Sequence, residues 1–221
     1  MKKAAALAFI VAAASMAALS CRSTAESPRI QTGDLLFVGI PMDYDAENIS
    51  RAIAESTSTG DEINYIHTAV LEVDDSGKVW VIDATLAHGV DRHPLDTLFK
   101  DFTLNNGRRA TFKVMRLKDD SGCPRHVQQC KALLGEEYDL YFLPGNGRHY
   151  CTEIVYDCYL EADGRHIFDA LPMNFRNKDG EMPEYWTWLF NQLGRSVPQG
   201  VPGTNPQGML SSPKIRYVMD I

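Results

Sequence analysis

Apolar and polar positions divide the chain into short elements of both kinds. "GDLLFVGI" (33–40) is a dense apolar run after a Gly-Asp turn and predicts a strand. "DAENISRAIAESTS" (45–58) places Ile49, Ala52 and Ile53 at helical spacing and predicts a short helix. "YIHTAVLEV" (65–73) and "KVWVIDAT" (78–85) are β-branched runs separated by "DDSG", and "TFKVMRL" (111–117) is a further strand. "PRHVQQCKALLG" (124–135) predicts a helix that opens on a proline and closes on a glycine. "YDLYFL" (138–143) predicts a short extended segment, followed by the loop "PGNGR" and a helix from Cys151 to Ala162. "EYWTWLFNQLG" (184–194) is helical, residues 197–214 form a long Pro/Gly/Ser loop, and "IRYVMDI" (215–221) is a last strand. No internal repeat interrupts this order. The class is α+β, an antiparallel sheet packed against helices.

The N-terminus stands apart from that pattern. Lys2 and Lys3 precede an apolar run of 16 residues, Ala4 to Leu19, broken only by Ser15. Residues 1–20 therefore form a secretory signal peptide, the run being shorter than the roughly 20 residues a membrane-spanning helix needs. The ending "ALSC" resembles a bacterial lipobox, with Ala18 where leucine is commoner and Leu19 one place late. On that reading Cys21 is lipidated and residues 21–32 are a lipidated N-terminus and tether. The acyl chains then hold the protein to a membrane of the cell envelope, facing the periplasm or the exterior, at roughly 0.8 kcal/mol for each buried methylene. Residues 33–221 are long enough for one domain with a proper core. Without Lys2 and Lys3 the chain has 20 basic against 29 acidic residues, a formal charge of −9. With no basic cluster, nucleic acid is excluded as a partner.

Four cysteines follow Cys21: Cys123, Cys130, Cys151 and Cys158. Cys151 and Cys158 are a helical stretch apart, about 10 Å along the axis, too far for a bridge, and the same holds for Cys123 and Cys130. A cross-pair such as Cys130 with Cys158 stays open. No CxxC or other ligand spacing points to a metal site, and nothing calls for a cofactor.

Cys151 begins its helix, with Ile154, Val155, Cys158 and Tyr159 continuing a buried stripe. A thiol there meets unpaired backbone N–H groups and the positive end of the helix dipole, which favour a thiolate and can hold an oxyanion. Position alone fits a buried structural thiol equally well. A nucleophile needs a base, and His67 lies in the apolar strand 65–73 on the row of Ala69, Leu71 and Val73. If "DSG" (75–77) is a three-residue hairpin loop with Gly77 left-handed, Asp74 pairs with Lys78 and Ala69 faces Asp83. Asp83 is then diagonal to His67, within reach of a long side chain. A lone carboxylate in a buried-type strand requires a partner, His67 or else an arginine or a backbone group. His88 and His93 (in the polar loop 86–94), His126 and His166 are expected to be solvated, and His149 to point away from the thiol.

"GDLLF", "IHTAVLE", "VIDAT", "YDLYF" and above all "YCTEIV" together resemble the bacterial YiiX/YebB-like group of circularly permuted NlpC-type cysteine hydrolases, a papain-like fold with its antiparallel sheet or barrel packed against helices. The likeness runs from about Gly33 to about Tyr159, with the histidine strand preceding the cysteine helix. It implies that Cys151 is the nucleophile, with Thr152 at a place where serine is usual, that His67 is the base, and that Asp83 takes the third position, commonly glutamate. It implies cleavage of an amide bond through a thioester, with the Cys151 amide and the flanks Tyr150 and Thr152 at the oxyanion and substrate. Cell-wall peptidoglycan peptides are the implied substrate. Two alternatives stand beside it: a lipid acyl hydrolase or acyltransferase on the same triad, and a non-catalytic envelope binding lipoprotein with a structural cysteine.

Overall fold

The structure, a computed structural model, describes residues 29–221 other than 45 and 47. The expected signal peptide (1–20), the expected lipidation site Cys21 and most of the expected tether lie outside the described residues. Among those described, no helix is long and apolar enough to cross a membrane.

In chain order the elements are β1 (Leu35–Pro41), α1 (Asn48–Thr57), β2 (Ile63–Val73), β3 (Val79–Thr85), β4 (Gly89–Pro94), α2 (Leu95–Asp101) and β5 (Thr111–Leu117). Then follow α3 (Cys123–Ala132), α4 (Cys151–Cys158), β6 (Leu171–Pro172), α5 (Glu184–Gln192), β7 (Pro202–Gly203), α6 (Pro206–Leu210) and β8 (Ile215–Asp220). Six strands form one antiparallel sheet in the order β4-β3-β2-β1-β5-β8. β1 and β2 are central and buried nearly throughout, which is why they read as continuous apolar runs. α3 and α4 cover one face through Ile154, Val155 and Tyr159 against Leu35, Phe37 and Ile82. Leu36, Val38, Leu71, Val81 and Phe112 pack with Leu98 of α2 on the other. A third cluster joins α1 and α5 around Trp186 and Phe175.

The β2–β3 hairpin has the register that its loop requires. Gly77 has φ 82, the Asp74 amide donates to the Lys78 carbonyl at 3.0 Å, and Val73 faces Val79 and Val70 faces Ile82. Continuing that ladder sets Ala69 opposite Asp83. Between β1 and β2 the register slips by one residue, since Val38 faces His67 but Gly39 faces Tyr65, leaving Ile66 as the extra residue of a β-bulge. A side chain at position 39 would put its Cβ 2.4 Å from Ile63 Cγ2, so the crossing needs glycine.

Several sequence expectations are corrected. Residues 89–94 are not a loop but an edge strand, in which only Val90 and His93 are buried, so no apolar alternation announces it. "YDLYFL" is not extended: the buried Asp139 carboxylate accepts the amides of Tyr141 and Leu143, both at 2.8 Å, and winds the segment into a turn. α4 ends at Cys158, four residues early, because the chain turns back about Gly164 and the Ile167 amide donates to the Tyr159 carbonyl. The long loop 197–214 contains β7 and α6, the latter capped by the Asn205 side chain accepting from the Gly208 amide at 2.7 Å. The four described cysteines are free, so the open Cys130–Cys158 pairing is two neighbouring buried thiols joining α3 to α4.

Candidate active site

Strand β3 carries Asp83 at its buried centre, 1 % exposed, with a histidine diagonal to it on each neighbouring strand. His67 Nε2 lies 2.6 Å from Asp83 Oδ2, and His93 Nε2 lies 3.1 Å from Asp83 Oδ1. A carboxylate only accepts, so both nitrogens carry hydrogens. The second nitrogen of His93 meets the Pro94 carbonyl at 3.2 Å, another acceptor, which makes His93 a donor on both sides. His93 is therefore neither in a loop nor solvated. The strand is polar and carries no apolar alternation, and His93 stands two positions from Asp91, the partner of Asp83.

The bulge in β2 turns His67 toward the start of α4. Its ring packs on Phe102 at 4.9 Å between centroids and shares one cavity of about 320 Å³ with Cys151, Ile66, Ala84 and Tyr138. Burial opposes a charge on His67, but hydrogen bonds and charge from Asp83 and Cys151 outweigh it and push the ring up to about 10. Burial likewise opposes the Asp83 carboxylate, and its two histidine donors bring it down to about 2. His93 is also raised, its hydrogen bond to Asp83 overcoming burial. Across the neutral range the site thus holds an imidazolium at His67 behind which Asp83 is ionised.

Cys151 is 5 % exposed at the first position of α4, where main-chain amides lack intrahelical acceptors. Of its flanks, the Tyr150 amide points at Glu153 Oε2, 3.4 Å away, and the Tyr150 hydroxyl accepts from the Thr204 amide at 3.1 Å. Thr152 is fully buried and its hydroxyl accepts from Thr204 Oγ1 at 2.8 Å. Both side chains fix α4 to the segment before α6, and the Cys151 amide stands in the first turn as a donor beside the sulfur. Glu153 is pushed up to about 8, first by burial and then by the charges of Asp139 and Asp157. At neutral pH it is a neutral acid and adds no competing anion to the end of α4 that a thiolate needs. Tyr138, whose phenol is raised by burial and by the neighbouring Cys151, is a protonated donor beside the thiol. Sequence reading places it in a strand and so misses it.

The remaining histidines lie elsewhere. His88 is exposed, as expected. His126 is buried rather than solvated, with Nε2 2.9 Å from the Leu160 carbonyl. His166 is exposed and stacks on Tyr156 at 3.9 Å. His149 points away from the thiol, between Glu136 and Asp157. A separate cavity of about 810 Å³ between α1, the end of β1 and residues 177–179 contains none of the residues just described.

Comparison with known proteins bears on the family and the fold. A family model described as "Permuted papain-like amidase enzyme, YaeF/YiiX, C92 family" matches residues 29–219. The uncharacterized protein YiiX of Escherichia coli K12 is 25% identical over 191 residues, 85% of each chain. A crystal structure of the metalloprotein yiiX from Escherichia coli O157:H7 superposes with a TM-score of 0.65 at 25% identity, covering 86% of this chain and 97% of that one.

Proposed function

The chain belongs to the family of permuted papain-like amidases, whose members are cysteine hydrolases, and we propose that its own reaction runs on Cys151, His67 and Asp83. The observation that carries this reading is the shared cavity in which the α4 thiol meets a histidine held at 2.6 Å by a buried carboxylate. The Cys151 thiolate attacks the carbonyl carbon of an amide, and the oxyanion lies on the Cys151 amide with the Tyr138 hydroxyl beside it. His67 gives its proton to the departing nitrogen as the C–N bond breaks, leaving a thioester on Sγ. Water then attacks the thioester, His67 takes a proton from it, and the C–S bond breaks to release the acid and restore the thiolate. Asp83 holds the imidazole in the orientation both steps need.

The solved relative is described as a metalloprotein, and the residues present here offer no fitting donor set for a metal. His67 and His93 face Asp83 from opposite sides, and His149 meets its two carboxylates through opposite ring nitrogens. Among the described residues no group of three His, Cys, Asp or Glu converges on a point. We further propose that the protein, lipidated at Cys21, sits at the cell envelope beside cell-wall peptides, a source of amide bonds.

A vinyl-sulfone electrophile at mildly acidic pH tests the site. Peptide mapping is expected to find the label on Cys151, with a rate at least about tenfold lower in a folded His67→Ala variant. Equal slow labelling of both proteins, or labelling at another cysteine, overturns the triad. Digestion of purified cell-wall fragments with wild type and Cys151→Ala tests the substrate, with new amine ends expected only from the former.

A further inference from the structure

Resting on the reading of Cys151 as nucleophile, the geometry also separates the two halves of the substrate. His67 must protonate the departing group, so that group occupies the cavity His67 lines. The acyl group stays on the sulfur and needs space on another side of it. A second, narrow cavity of about 50 Å³ opens there, sharing Cys151, Ile53 and Tyr138 with the first. Its walls are Phe142, Tyr150, Met173, Phe175 and Trp186, and none of its lining residues is charged. Several of its polar groups are engaged with one another: Trp186 Nε1 donates to Ser56 Oγ at 3.0 Å, and Thr204 donates to Thr152 and to Tyr150.

The slot is also built at a cost to the backbone. Phe142 is the one non-glycine with positive φ among the described residues, at 52°, a left-handed conformation that side chains disfavour. Asp139 holds that turn through two amide hydrogen bonds. The result is a ring against Tyr150, Phe175 and Trp186, with centroids 5.2, 5.7 and 5.5 Å away.

We infer that this slot is the acyl pocket and that it takes a short, uncharged acyl group. A water-sized sphere needs about 10–15 Å³ of such volume, so the slot accepts about four heavy atoms beyond the carbonyl. Longer chains meet Phe142 and Trp186, and an acyl group bearing a carboxylate finds no cation to offset its charge.

The test uses 4-nitrophenyl esters of acetic, butyric, octanoic and glutaric acids, which differ only on the acyl side. Sγ bonds to the acyl carbon as the C–O bond to nitrophenolate breaks, and water then hydrolyses the thioester. After correction for hydroxide reactivity, butyrate is expected to exceed both octanoate and glutarate by about tenfold or more in kcat/KM. Phe142→Gly, which keeps the left-handed turn and removes the ring, is expected to raise octanoate relative to butyrate by about tenfold, and the milder Phe175→Leu to do so by less. Cys151-dependent release with octanoate or glutarate preferred, or an unchanged ranking in both variants, overturns the acyl pocket and leaves the nucleophile standing. Release as fast from Cys151→Ala as from wild type overturns the nucleophile and the pocket with it.

Discussion

At the scale of single residues the site turns on how Asp83 divides its two oxygens. His67 takes one and His93 the other, so His93 positions the carboxylate that positions the base. Replacing His93 by alanine leaves Oδ1 unpaired in a buried site and removes the donor that shares the charge of Asp83. The groups facing His93 are Asp83, Asp91 and the Pro94 carbonyl, so no other cation replaces it there. His93→Ala is expected to lower kcat for an amide substrate by about tenfold with little change in KM. It is also expected to move the alkaline limb of the pH profile upward, because the unshared carboxylate holds the His67 proton more tightly. His93→Gln, which keeps a donor, restores most of both. A purely structural role would move stability and leave the limb in place. In wild type, amide turnover falls as pH rises through about 10, where His67 loses the proton it must donate, while alkylation of the thiol does not fall with it.

At the scale of elements the first turn of α4 carries a second titration. Glu153 has its folded-state value raised to about 8 from 4.5, so between those values the folded protein binds a proton that the unfolded chain has lost. Stability therefore declines as pH rises across that window, by up to about 1.4 kcal/mol per unit. Glu153→Gln, which can still accept from the Tyr150 amide, is expected to match wild type near pH 4.5 and to melt at a higher temperature at pH 8. Equal melting at both pH values would refute the buried neutral acid. The same element shows what a sequence discloses. The stripe Ile154, Val155, Cys158 marks the buried face of α4, but its end is set by the return of the chain to Tyr159, a tertiary contact that no local pattern encodes. Likewise β1, β2 and β3 are legible because they are buried on both faces, and the three-residue loop at Gly77 suffices to align Asp83 with His67. β4 is illegible because an edge strand needs no apolar alternation, and His93 is hidden with it. The bulge at Gly39 is equally silent, although it aims His67.

At the scale of the whole molecule, one buried ion pair ties the sheet to the start of the domain. Arg116 on β5 meets Asp34 through Nε at 2.6 Å and Nη2 at 2.8 Å, and the same Nη2 donates to the Arg29 carbonyl. Asp34 follows Gly33, whose carbonyl accepts from the Tyr159 hydroxyl just after α4. At position 33 any Cβ would sit 2.3 Å from Cys123 Cβ on α3. The "GDLLF" start of the domain is therefore the point where β1, β5, α3 and the end of α4 are held together. Both charges of the pair are desolvated, so removing one partner leaves the other stranded, at a cost of about 3–5 kcal/mol, whereas removing both is far milder. Urea unfolding of Arg116→Met, Asp34→Ala and the double variant is expected to show two large losses and a double variant more stable than either single one, with unchanged slopes. Additive losses would mean that the pair is too well solvated to act as a buried one. Because Asp34 lies well outside the cavity of Cys151 and His67, folded Arg116→Met is expected to label Cys151 at the wild-type rate, which separates what holds the molecule together from what the site does.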